Sequence, residues 1–249
     1  MTLPGSGADL LSFRAPDPRA ALLVLPGALC RADRYKWLAA LGGRGIDVHL
    51  LDGALSAGRF RSADGPQPVF AELAAALDHI AADGLPLHAA GHSAGAAALL
   101  DALDPPSNPI AHLPPGWRLP QPLVSVTSMG CSLQHAALDM RLAHRSDDRP
   151  LGCPAGMRLL FLAGDADAMA PPEQVRRTAG RYDPPVPVIA LAAATHYGWA
   201  GPREPGDNPR SDADVSLDTG LQRARTLGYL AGMILRGAPA PIEADRRWN

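Results

Sequence analysis

Short apolar runs that stop at glycine or proline recur along the chain. Residues 20–25 read AALLVL and end at Pro26-Gly27, and residues 47–51 read DVHLL and end at Asp52-Gly53. Residues 85–90 read LPLHAA before Gly91, residues 123–126 follow Pro122, residues 157–163 read MRLLFLA before Gly164, and residues 186–192 read VPVIALA before Thr195-His196. Each has strand length and turn chemistry behind it. The runs are continuous rather than alternating, so both faces of each strand are expected to be covered, as in a parallel sheet. Residues 9–15, DLLSFRA, predict an edge strand ahead of them.

Helical spacing fills the gaps. Residues 34–41 end near Gly42-Gly43, residues 68–82 carry Val69, Leu73, Ala76, Leu77 and Ile80 on one face, and residues 94–103 are Ala- and Leu-rich before Pro105-Pro106. Further helices are expected over 133–143, over 171–180 with a Pro-Pro-Glu first turn, and over 217–235. Alternating strand and helix predicts one three-layer α/β domain spanning 1–249, with a mostly parallel central sheet and helices on both faces. Residues 54–67, 104–121 and 197–215 fit neither pattern, and long ordered connections of this kind often form rims or lids.

Composition removes several classes. The chain has 249 residues, 47% hydrophobic and 19% charged, which is the make-up of a packed domain. Twenty-five glycines and 26 prolines imply stiff, turn-rich loops. With 23 basic against 25 acidic residues the net charge is −2, so there is no basic field for nucleic acid. Three scattered cysteines, Cys30, Cys131 and Cys153, make neither a disulfide framework nor a metal knuckle, and imply reduced thiols in a cytoplasm. No secretory signal pattern and no 18-residue apolar stretch is present, so no membrane span is expected.

The chemistry begins at Gly91-His92-Ser93-Ala94-Gly95, which matches G-x-S-x-G. It follows a predicted strand and opens a predicted helix. A serine in such a turn stands above the sheet edge, and the helix start behind it offers unpaired N–H groups to a developing anion. A serine hydroxyl needs a base to become a nucleophile. Of eight histidines, His196 follows the last predicted strand and so lies at the carboxyl edge of the sheet with Ser93, where open α/β sheets place their sites. His92 is next to Ser93 but points elsewhere from the turn; His88 and His49 read as strand residues, and His79, His112, His135 and His144 as surface or loop residues. A carboxylate must orient the base. Asp165 and Asp167, in Gly164-Asp165-Ala166-Asp167 after a predicted strand, are the candidates.

With the order Ser, Asp, His along the chain, the sequence resembles the α/β-hydrolase superfamily, near its small dienelactone hydrolase-like, chlorophyllase-like and polyester hydrolase-like esterases. The resemblance covers about 20–235. It implies the α/β-hydrolase fold with little or no cap, and Asp167 rather than Asp165 as the acid, from the family's G-x-x-D. It implies an oxyanion hole from the N–H groups of Ala28, after Pro26-Gly27, and Ala94. Departures are Ala96 where many relatives have a further glycine, and Ser93 where dienelactone hydrolases proper use cysteine. The expected activity is cleavage of a small-molecule carboxylic ester through Ser93, His196 and Asp167, without cofactor or metal. An acyltransferase with the same triad and a non-catalytic scaffold of this fold are the alternatives. Leu29, Cys30, Met169, Tyr197 and Trp199 are expected to contact substrate, with Trp117 and Met129 as further rim candidates.

Overall fold

The computed structural model describes residues 1–59, 67–103, 123–133, 150–201, 218–239 and 245–248. The predicted helix over 133–143 lies outside them except for Leu133. So do the loop 104–121 with Trp117, half of 54–67, most of 197–215, and His112, His135 and His144.

Among the described residues eight strands form one sheet: β1 (Asp9–Phe13), β2 (Ala20–Leu25), β3 (Ile46–Asp52), β4 (Leu87–His92), β5 (Leu123–Met129), β6 (Arg158–Gly164), β7 (Val188–Leu191) and β8 (Arg246–Trp248). Their order is β1-β3-β2-β4-β5-β6-β7-β8, parallel throughout except for the two edge strands. The sequence places β1 to β7 within a few residues. It gives no sign of β8, three residues of RRW that pair antiparallel to β7. So short an edge strand has no apolar run to announce it.

β2 shows why the run is continuous. Ala21, Leu23 and Leu25 enter one core while Ala20, Leu22 and Val24 enter the other. The helices α1 (Gln67–Ala81), α2 (Ala94–Ala102) and α3 (Pro172–Ala179) cover the first face. α4 (Tyr197–Ala200), α5 (Thr219–Arg236) and a segment over Ala32–Arg44 cover the second. This is the three-layer arrangement expected of the α/β-hydrolase fold.

The segment Ala32–Arg44 corrects one expectation. It is a 3₁₀ helix, not an α-helix. Its buried residues are Ala32, Tyr35, Leu38 and Leu41, and a spacing of three keeps a side of a 3.0-residue helix facing the core. Gly45, with φ 75°, ends it. α4 is a second difference: residues 197–200 form a short helix where only loop is expected. Among the described residues no helix is long and apolar enough to cross a membrane.

Candidate active site

The carboxyl ends of β2, β4, β6 and β7 meet at one edge of the sheet because these strands run parallel. Ser93 follows β4 directly, with φ 50° and ψ −116°. A non-glycine residue held there is strained by about 1–3 kcal/mol, a cost that persists only where the surroundings enforce it. Two glycines permit the enforcement. A Cβ on Gly91 would strike the backbone of Ala96, and one on Gly95 would strike the carbonyls of Leu25 and Pro26. α2 can therefore press against β4 and β2 only with glycine at both positions, the steric need that the G-x-S-x-G pattern encodes. Ser93 N–H is tied to Met129 C=O at 2.9 Å, and Ser93 C=O accepts from Ala97 at 3.0 Å. His92 is buried and Ser93 half-buried.

The turn after β6 brings in the carboxylate. Asp167 N–H donates to Gly164 C=O at 3.1 Å, and Ala166 N–H donates to Ala194 C=O at 3.0 Å, which joins the ends of β6 and β7. Asp167 is buried; its Oδ1 accepts from the N–H groups of Met169 at 2.8 Å and Ala170 at 2.7 Å. Its Oδ2 lies 2.8 Å from His196 Nδ1. Asp165, two residues earlier, is exposed. Gly130, with φ 54°, leaves the space: a Cβ there would come within 3.1 Å of Asp167 Oδ2 and 2.7 Å of the Trp199 ring.

His196 is held from beneath. The Gln222 side chain, on α5, accepts from Thr195 N–H at 3.0 Å and donates to Thr195 C=O at 2.9 Å. Its ring lies 4.6 Å from the ring of His92, centroid to centroid.

The turn after β2 carries four amides with different fates. Gly27 N–H donates to Tyr35 Oη at 3.0 Å, Leu29 N–H to Leu55 C=O at 2.9 Å, and Cys30 N–H to Gly27 C=O at 3.1 Å. Among the described residues the Ala28 N–H has no acceptor, and neither has that of Ala94 in the first turn of α2. Gly27 packs on the turn between β4 and α2: a Cβ there would stand 2.9 Å from His92 Nδ1 and 3.5 Å from Ser93 Cβ. The Leu55 loop is anchored in turn by the buried Glu72 of α1, which accepts from Ala54 N–H at 2.6 Å and pairs with Arg59. Burial raises the Glu72 carboxyl above its ordinary range.

Of the expected substrate contacts, Leu29 is 49% exposed with φ 62°, and Met169 and Tyr197 are half-buried. Cys30 and Trp199 do not stand on an exposed rim. Both are buried in the second core, Cys30 beside Arg34 and Trp199 with its indole N–H on Thr226 Oγ1 at 3.0 Å. Met129 is also buried. Sequence reasoning passes over Tyr35, Gln222 and Glu72, because a tyrosine in a helical segment, a glutamine on a helix and a glutamate on a helix carry no pattern of their own. It also passes over Asp245, whose carboxylate receives Ala192 N–H, Arg225 and Tyr229 and ties the chain end to β7 and α5. Among the described residues no three His, Cys, Asp or Glu side chains gather as a cation site.

The fold is shared with known proteins. Esterase 2 of Thermogutta terrifontis superposes with a TM-score of 0.62 at 16% identity, over 97% of this chain and 94% of that one. A second structure of it, in the native form, gives 0.61 at 17% identity over 95% and 92%. The esterase domain of a Rhodothermus marinus protein gives 0.51 at 16% identity over 76% and 89%. No family model and no curated protein matches the sequence. The chain therefore has the α/β-hydrolase fold, in the form these bacterial esterases share.

Proposed function

We propose that this protein is a serine hydrolase of small carboxylic esters. The observation that carries the reading is the buried Asp167–His196 pair, at 2.8 Å, on the same sheet edge as a serine held at positive φ. Ser93 Oγ attacks the acyl carbon and His196 takes its proton. Asp167 keeps the His196 Nδ1 proton directed at itself, so that Nε2 is the atom that accepts. The N–H groups of Ala28 and Ala94, without acceptors among the described residues, hold the oxyanion of the tetrahedral intermediate. Collapse expels the alcohol, which leaves with the proton held by His196. Water, deprotonated by the same histidine, then releases the acid from the acyl-enzyme and restores Ser93. The likeness to bacterial esterases is consistent with this chemistry.

The test is covalent labelling with a fluorophosphonate, beside turnover of p-nitrophenyl esters of increasing chain length. The expected result is one equivalent of label on Ser93, with labelling and turnover both lost in Ser93→Ala. Because triad members act as a unit, the loss of turnover should reach several orders of magnitude. An unlabelled Ser93 with no ester turnover would overturn the proposal in favour of a non-catalytic scaffold.

A further inference from the structure

Behind the Ala28 turn lies a buried chain of hydrogen bonds that the proposed chemistry does not use. Gly27 N–H donates to Tyr35 Oη at 3.0 Å, and Tyr35 Oη lies 2.7 Å from His92 Nδ1. Tyr35 is fully buried and His92 is 1% exposed. Gly27 N–H can only donate, so the phenol oxygen accepts it. With the imidazole proton on Nε2 the Tyr35 hydroxyl donates to His92 Nδ1; with the proton on Nδ1 the phenol oxygen accepts from both.

We propose that Tyr35 and His92, with the imidazole proton on Nε2 and Nδ1 accepting from the Tyr35 hydroxyl, are positioning residues that hold the oxyanion turn, fixing Gly27 so that the neighbouring Ala28 N–H faces the acyl oxygen. This rests on the ester-hydrolase reading above. Three features support it. The amides on either side of Ala28 are both tethered, Gly27 to Tyr35 and Leu29 to Leu55, and the Gly27 C=O, in the same planar peptide as the Ala28 N–H, accepts from Cys30 N–H, so these three bonds together set the direction of the Ala28 N–H. The space beside Gly27 is filled by His92 Nδ1 itself, so turn and imidazole cannot move independently. Burial keeps both partners neutral, lowering His92 well below the usual histidine range and raising Tyr35 well above the usual phenol range. The link also joins both sides of the reaction: His92 precedes the nucleophile in sequence, and its ring lies against that of His196.

The test uses Tyr35→Phe, which keeps the ring and removes the hydroxyl. A mispositioned donor predicts kcat reduced about 10- to 100-fold with KM within about twofold, since a displacement near 1 Å can cost about 10²-fold. Inhibition by a trifluoromethyl ketone, which forms an oxyanion on Ser93, should weaken by the same factor. His92→Asn, whose Oδ1 stands near the position of Nδ1, should retain most activity, and His92→Leu should match Tyr35→Phe. The double variant Tyr35→Phe/His92→Leu should be no slower than either single one. Side-chain ¹⁵N spectra of the wild-type chain should show His92 protonated on Nε2, a readout independent of turnover. Wild-type kcat and ketone affinity in Tyr35→Phe, or a proton on His92 Nδ1, would overturn the proposal. So would a fall in kcat that merely follows a fall in melting temperature. A chain with the expected His92 spectrum but no fluorophosphonate labelling would instead overturn the hydrolase reading, and the catalytic part of this proposal with it.

Discussion

Gln222 grips Thr195 from both sides, its Oε1 on the Thr195 N–H and its Nε2 on the Thr195 C=O, at 3.0 and 2.9 Å. The pair fixes the residue before His196 to a helix 27 positions later, and His196 in turn reaches Asp167. Gly198 completes the fit, because a Cβ there would strike the Gln222 amide.

Gln222→Leu keeps the volume but leaves a buried N–H and C=O without partners. The expected outcome is a loss of about 1–3 kcal/mol in urea unfolding. Turnover should fall by more than the folded fraction accounts for, because the His196 backbone loses its support. Unchanged stability would show that the Thr195 groups find other partners.

Asp167→Asn should leave the fold intact and lower kcat by about 10⁴, by placing His196 in the wrong tautomer. Asp165→Asn should change kcat by less than about twofold, since Asp165 is exposed and two residues from the pair. Steady-state kinetics of the two variants decides the assignment, and a reversed ranking would move the acid to Asp165.

Three buried histidines make stability fall with acid. Burial lowers His49 and His88 to about 4 and His92 well below its ordinary 6.5. His49 faces Arg14, Asp47, Asp83 and His79, and His88 faces Arg158. The unfolded chain takes up protons at these sites below pH 6.5, whereas in the folded chain His49 and His88 do not until near pH 4, and His92 not until well below 6.5. Their contribution is thus constant above about pH 6.5 and is lost as the pH drops from there to 4, by at most about 1.4 kcal/mol per pH unit for each histidine. His88→Asn, which keeps an acceptor for Ser125 Oγ, should flatten that slope between pH 6.5 and 4.5 relative to the wild type. Urea unfolding at several pH values measures it, and equal slopes would refute the assignment.

Gly95→Ala should cost about 2–3 kcal/mol, since the new methyl group meets main-chain carbonyls of Leu25 and Pro26 that cannot rotate away. Gly43→Ala is the control, with nothing within 4 Å of its added Cβ and an expected change within about 0.5 kcal/mol. Thermal melts of the pair test whether the close approach of α2 to β2, rather than glycine content, explains the motif.

Much of the fold is legible along the chain because its causes are local. Apolar runs mark β2 to β7, those of β2, β3, β4 and β6 closed by Gly or Pro, since a strand covered on both faces needs apolar side chains on both. Gly91 and Gly95 are readable for a similar reason: the steric demand of the elbow falls on residues two positions from Ser93. A preference for Asp167 over Asp165, left open by the residues alone, follows in sequence only from the resemblance; in the structure Asp167 is the carboxylate that the turn after β6 buries against His196. The 3₁₀ form of Ala32–Arg44 was present in the spacing of Tyr35, Leu38 and Leu41, but an apolar period of three also fits one side of an α-helix. What only the tertiary structure decided are the partners of polar side chains far apart in sequence. Tyr35 meets His92 across 57 positions, Glu72 meets Ala54 across 18, and Gln222 meets Thr195 across 27. Hydrogen bonds of this kind leave no periodicity, because each needs one side chain at one place, and that place exists only once the sheet has brought the strand ends together.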